Sequence, residues 1–345
     1  MFFKKSFSTF FALFSIVIIG LAILGGVGSS VIKLPFANNG PRHSLTGESG
    51  KDSQVIVIKV DDTTYAHPQV GLRSADVVYI EQVEGGLTRL AAVFSSKIPH
   101  IVGPVRSARI SDIELLSQYG KVGFAYSGAQ RLMLPIIASA NLYDLGANRY
   151  GPKFYQNDPL RTAPYAMMLK VPELLNESKV RGNVLVDSSP MGWTFGDAPE
   201  NLLAISKVHI SWPASSYEAE WSADENRWLL IHNGSVDLDE TGYRLGPKTI
   251  VIQIVSITDS IYHDKVGGIT PFSATVGSGR CFLLRDGGYI PCLWNRQTAE
   301  SGTSYTDEEG NLVNFDTGQI WFALTGKEPV FTPAQSEDAT KSASK

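Results

Sequence analysis

Residues 111–126 read Ser-Asp-Ile-Glu-Leu-Leu-Ser-Gln-Tyr-Gly-Lys-Val-Gly-Phe-Ala-Tyr, and the stretch changes period in the middle. Ser111 stands three residues before Glu114, the capping-box spacing that opens a helix, and Gly120 supplies the stop. Beyond it Val122, Phe124 and Tyr126 alternate as a strand does. Upstream, residues 55–60 form an apolar strand, and 77–84 and 88–94 make two more around Gly85-Gly86, a hairpin turn signal. Downstream, 130–139 reads as a helix and Leu142 marks another short strand. Strand, helix, strand, helix, strand predicts a partly parallel sheet with covering helices.

From residue 215 the texture changes to strands and turns. Residues 217–221 and 228–232 flank Asp224-Glu225-Asn226, 249–257 is a long apolar strand, and Glu309-Gly310-Asn311 separates two more. This predicts an antiparallel β region. If Asp286-Gly287 is a two-residue hairpin turn, counting back evenly puts Arg285 opposite Gly288 and Cys281 opposite Cys292. A disulfide between these two cysteines is then feasible in an oxidising compartment, the alternative being a pair of reduced core thiols.

The start of the chain is different again. After Lys4 and Lys5, residues 7–27 carry no charge. At about 1.5 Å per residue such a helix reaches roughly 31 Å, enough to cross a hydrocarbon core of about 30 Å. The apolar stretch is longer than that of a cleaved secretory signal and lacks an A-x-A site, so it reads as an uncleaved signal anchor, with cleavage as the competing reading. In either case the lysines before the span place the remainder outside the membrane.

The expected organisation is α+β. A signal anchor (1–32) and a linker (33–53) precede a mixed α/β domain (54–190). A second linker (191–214), an antiparallel β domain (215–326) and a disordered tail (327–345) follow.

Thirty basic against thirty-four acidic residues give the 345-residue chain a net charge of −4, and removing the two lysines of the first 32 residues takes it to −6. No excess of positive charge is available to track nucleic acid. Two cysteines exclude a zinc ribbon or an iron–sulfur cluster built on this chain alone. The six histidines, His43, His67, His100, His209, His232 and His263, show no metal-binding spacing and read as surface or turn residues. No metal and no cofactor is expected.

The densest polar stretch is Gly103-Pro104-Val105-Arg106-Ser107-Ala108-Arg109-Ile110-Ser111-Asp112, two arginines leading into the helix. Guanidinium forks bind carboxylate or phosphate, so Arg106 and Arg109, joined by Arg89 and Arg161, are candidates for an anion site. The competing reading pairs them structurally with Glu81, Glu84 and Asp112. Glu81 and Glu84 lie three apart on a predicted strand, which sends them to opposite faces and disfavours a glycosidase-like pair unless a bulge near Gly85 intervenes. Ser127 sits where a strand passes into a helix, the usual ligand side of an α/β sheet.

Five ordered blocks carry a family resemblance: Ala66-His67-Pro68-Gln69-Val70-Gly71-Leu72, Ala75-Asp76-Val77-Val78-Tyr79, Val83-Glu84-Gly85-Gly86-Leu87-Thr88-Arg89, Gly103 to Arg109, and Arg161-Thr162-Ala163-Pro164. With the stretches around Thr249 to Gln253, Trp294 and Gly318-Gln319-Ile320-Trp321, they resemble the YerB-like family of bacterial envelope lipoproteins, a two-part family of unknown function. The resemblance implies an extracytoplasmic location and singles out Glu84, Arg89, Arg106, Arg109 and Arg161 as motif positions. It also marks departures: His67 stands where the family usually has Arg, Ile80 where a Glu usually follows the Tyr, and Ser127-Gly128-Ala129 replaces a Gly-Gly-Ser turn with a nearby His. A lipoprotein's anchoring cysteine is absent, since the first cysteine is Cys281, and the membrane helix would take its place.

The expectation is a single-pass, membrane-anchored extracytoplasmic protein. It would bind an anionic envelope ligand or a partner protein through Glu84, Arg89, Arg106, Arg109, Arg161 and Ser127. The alternative is a hydrolase or transferase acting on envelope glycan or phosphodiester, with Glu84 as acid or base.

Overall fold

A computed structural model of the chain describes residues 40–335. The expected signal anchor, the first residues of the linker after it and the last ten residues lie outside the described residues. Among the described residues no helix is long and apolar enough to cross a membrane.

The fold is sheet-rich, with few helices. At its centre Ile56–Asp61 pairs antiparallel with Thr88–Phe94 and parallel with Val122–Ala125, which pairs parallel with Leu142–Asp144. Val77–Gln82 and Thr88–Phe94 form the expected hairpin. Gly85 and Gly86 turn it with φ of 68° and 74°, a region that glycine enters without steric cost.

The strands are buried on both faces, which is why they read as unbroken apolar runs. Ile56, Ile58, Val78, Ile80, Leu90 and Ala92 face one core, and Val57, Val77, Tyr79, Ala91 and Val93 face the other. Helix Ile110–Ser117 covers the second core through Leu115 and Leu116, and helix Val171–Val180 covers the first through Val171 and Leu174.

The C-terminal region is mainly β, but not purely antiparallel. Ile320–Thr325 lies parallel to Thr249–Ile254 on one side and parallel to Val77–Gln82 on the other. The sheet thus runs without a break from the first part of the chain into the last. Beyond Thr249–Ile254 it continues through the hairpin Gly277–Arg285/Gly288–Arg296 to Leu203–Ser211, Ser216–Ser222, Arg227–His232 and Ser235–Val236. In that hairpin Arg285 faces Gly288, and Cys281 faces and is bonded to Cys292, their Cα atoms 4.8 Å apart.

Segments read as linkers also take structure. Residues 203–211 form a strand that buries Ile205, Val208 and Ile210 and pairs with Val330–Pro333, so the start of the stretch expected to be a disordered tail is an edge strand. His43 and Leu45 are buried ahead of the first strand. The helix cap differs as well: Arg109 is the N-cap residue, and its N–H donates to the Asp112 carboxylate at 2.6 Å. Ser111 and Glu114 accept hydrogen bonds from the distant Ser273, Thr275 and Val276, so their side chains are not available for capping.

Candidate functional site

Strand parity decides which side chains meet. Lys59, Asp61, Glu81 and Arg89 share the face covered by helix Ile110–Ser117, with Asp61 and Glu81 both in register with Arg89. Lys59 Nζ lies 2.7 Å from both Glu81 Oε1 and Asp112 Oδ1, and all three groups are fully enclosed. Burial pushes the Glu81 carboxyl up, Lys59 pulls it back and the Asp112 charge adds to the rise, leaving it at about 8.

Glu84 lies past the strand end, in a short 3-10 turn, so strict alternation no longer governs it. Its carboxylate takes Arg109 Nε and Nη2 at 2.9 and 2.7 Å and also accepts from the Thr270 hydroxyl. Burial alone would raise this carboxyl, but the Arg109 bonds hold it below its ordinary value. Thr270 belongs to the hairpin Ile257–His263/Ile269–Ser273, which closes over the pair and leaves both Glu84 and Arg109 buried.

Arg106, partly exposed, forms an ion pair with Asp61 at 2.5 Å, although neither Arg106 Nε nor Asp61 Oδ2 finds hydrogen-bond geometry there. Arg89 is more isolated. Among the described residues its side chain makes one hydrogen bond, from Nη1 to the Ser107 carbonyl at 2.8 Å, and no ion pair. Burial first, then the neighbouring Arg109 and Arg106, push its guanidinium down to about 9. Ser127 meets this group through its backbone, its N–H donating to the Arg106 carbonyl at 2.9 Å. Three of the four arginines therefore converge, with Asp61 and Glu84 as their carboxylate partners.

Arg161 lines a cavity of about 720 Å³ together with Tyr65, His67, Asp158 and Tyr165. It is held by Asp158 at 3.4 Å and by the carbonyls of Ala66 and Pro68 at 2.9 and 2.5 Å. The rings of Tyr65 and Tyr165 are 5.5 Å apart, and the Arg106 guanidinium lies 5.7 Å from the Tyr165 centroid. Tyr165 thus links the cavity to the arginine group.

The opposite face carries a cluster absent from the sequence reading. Asp62 accepts from the Tyr217 and Thr88 hydroxyls, both at 2.6 Å. His67 Nε2 is 3.5 Å from Asp62, and its Nδ1 is 3.0 Å from Asp237. His232 stacks on His67 at 4.3 Å, with its Nε2 3.8 Å from Asp62. Burial alone would lower His67, but hydrogen bonds to Asp237 and Asp62 lift it to about 10. Burial holds His232 below its ordinary value.

His43 and His232 are buried, contrary to the surface reading of the histidines, because each is surrounded by partners remote in sequence. The readable signal was pleat parity: His232 continues the inward series Trp228, Leu230. His43 Nε2 lies 3.2 Å from Ser188 Oγ, but Ser188 donates to Asp52 and the ring Nδ1 meets the Leu45 N–H, so the carboxylate sits on the serine and not on the histidine, which is not the order of a serine-hydrolase triad.

Residues 45–183 match the model described as the N-terminal domain of a protein of unknown function, DUF3048, and residues 208–322 match its C-terminal domain. The chain belongs to the DUF3048 family. It is 23% identical over 286 residues to "Putative lipoprotein YerB" of Bacillus subtilis (strain 168), covering 81% of this chain and 83% of that protein. The crystal structure of YerB from Bacillus subtilis superimposes with a TM-score of 0.71 at 19% identity, over 84% of this chain and 99% of that one. The DUF3048 N-terminal match contains Arg89, Arg106, Arg109 and Arg161. The Asp62 cluster takes His232 and Asp237 from the segment matching the DUF3048 C-terminal domain.

Proposed function

We propose that this DUF3048 protein is a membrane-attached, extracytoplasmic binding protein whose cavity between Tyr65 and Tyr165 takes an anionic ligand of the cell envelope. The observation that carries this reading is the position of Tyr165, with Arg161 beside it in an open cavity and Arg106 near its ring. Tyrosine faces suit the apolar faces of a sugar or other ring, and guanidinium groups suit carboxylate or phosphate. Arg89, poorly partnered behind Arg106, adds positive potential that the nearby acids leave unbalanced. The YerB relative's description as a lipoprotein supports an envelope location. A hydrolytic reading loses its main candidate, because Glu84 is sealed with Arg109 under a hairpin.

The test is retention of the purified full-length chain on isolated cell-wall material over a salt series. Arg161→Gln and Tyr165→Ala should remain folded and lose at least tenfold in retention, with the wild-type affinity falling as salt rises. Equal retention by folded variants would remove the cavity from the function.

A further inference from the structure

We propose a second site: Asp62, His67 and His232 bind one divalent first-row transition metal ion, with zinc as the test case. This goes beyond the anion-binding reading and does not depend on it. The three side chains place one donor atom each within 4.8 Å of one another. Two donors on one tetrahedral zinc ion, at about 2.0–2.1 Å from the metal, are about 3.4 Å apart. The two Nε2 atoms lie 3.5 and 3.8 Å from different oxygens of the Asp62 carboxylate, so the set closes on one ion by rotation of the rings and the carboxylate.

The surroundings are those of a supported ligand set. His67 Nδ1 faces Asp237 at 3.0 Å, the carboxylate–histidine arrangement that orients the ring, and an ion entering the site displaces the proton from Nε2. Tyr217 and Thr88 hold the Asp62 carboxylate in place.

A fourth donor is at hand. Gln69, fully buried, has its amide nitrogen 3.1 Å from His67 Nε2 and 3.3 Å from Asp62, while its Oε1 has no partner. That nitrogen donates to the Asp61 carbonyl as well as to Asp62, so turning the amide over to offer Oε1 to an ion gives up those two hydrogen bonds in exchange for the metal. Asp237 Oδ2 is a second buried oxygen without a partner. The cluster has a route to solvent, since His67 lines the cavity and is 16% exposed. Imidazole nitrogens select zinc-like ions over calcium or magnesium. The two rings, 11° from parallel, must rotate to aim both Nε2 atoms at one point, so metal binding should be accompanied by loss of their stacking.

The experiment measures metal content and thermal unfolding of the full-length chain. After loading with Zn²⁺ and desalting, one equivalent should remain per chain and the melting temperature should rise. Co²⁺ should give visible absorption of a nitrogen and oxygen ligand field. Asp237→Asn should weaken Zn²⁺ binding by about 10–100-fold through loss of ligand orientation. A folded wild type that retains no Zn²⁺ and shows no thermal shift overturns the proposal. So does undiminished Zn²⁺ retention by a folded His67→Ala/His232→Ala protein, which would place the metal elsewhere.

Discussion

Asp61 and Asp62 are adjacent in sequence and serve opposite faces of the sheet. Asp61 meets Arg106 beside the arginine group, and Asp62 meets Tyr217, Thr88 and the two histidines. A strand end thus supplies both candidate sites from two consecutive carboxylates, as pleat alternation requires. Between Asp61 and the helix lies the enclosed Lys59–Glu81–Asp112 group, where one cation faces two acids. Glu81 responds to that imbalance by holding its proton, with its carboxyl raised from 4.5 to about 8. A raised carboxyl binds its proton more tightly in the folded than in the unfolded chain. Its contribution is therefore complete below about 4.5 and is lost as pH rises through about 8. Denaturation midpoints taken across that window should fall more steeply for wild type than for Glu81→Gln, which has no proton to lose. Parallel profiles would mean that Glu81 is not the group holding the proton.

Among the elements, the hairpin Ile257–His263/Ile269–Ser273 stands outside the main sheet and is tied to helix Ile110–Ser117 by a few polar contacts. Glu114 accepts from Thr275 N, Thr275 Oγ1 and Val276 N at 2.6, 2.9 and 3.0 Å just beyond the hairpin. Glu114→Ala leaves those donors unpaired and should cost about 1–3 kcal/mol. The measurable effect is faster amide hydrogen exchange over residues 269–276, and unchanged protection there would show that the hairpin is held by other contacts. The same contacts explain what sequence could reveal. Helix 110–117 was readable from its own residues, but its cap was misplaced because Ser111 and Glu114 are engaged some 160 positions away. The cysteine pairing was readable because an even count from Asp286-Gly287 needs only local register. Strand 203–211 was missed because its inward residues Ile205, Val208 and Ile210 break strict alternation and Leu203 and Ala204 are exposed. The arginine group was found as a sequence cluster, Arg106 to Arg109, whereas its partners Asp61 and Glu84 depend on the sheet. The Asp62 cluster was unreadable as a set, since His67 and Asp237 are 170 residues apart.

At the scale of the molecule, the strand Ile320–Thr325 joins the sheet of the first half of the chain to that of the second. All six of its residues are buried, and it pairs with Val77–Gln82 from the first half and with Thr249–Ile254 from the second. Without it the early hairpin would expose a row of unpaired backbone groups along an apolar edge. Phe322 makes the connection in side chains as well: it stacks on Tyr79 at 4.9 Å and packs against Trp193 at 5.4 Å and Tyr305 at 5.9 Å. With this strand removed, neither half keeps its pairing partner along that edge. The two halves should therefore unfold together. Phe322→Ala, which opens a cavity at a fully buried position, should cost about 3–5 kcal/mol and move the whole transition. Tryptophan fluorescence and far-ultraviolet circular dichroism, followed through denaturant unfolding of wild type and variant, should give coincident curves in each protein, displaced between the two. Two separated transitions, with only one displaced by the substitution, would mean that the halves hold their structure independently and that the central strand joins them without coupling them.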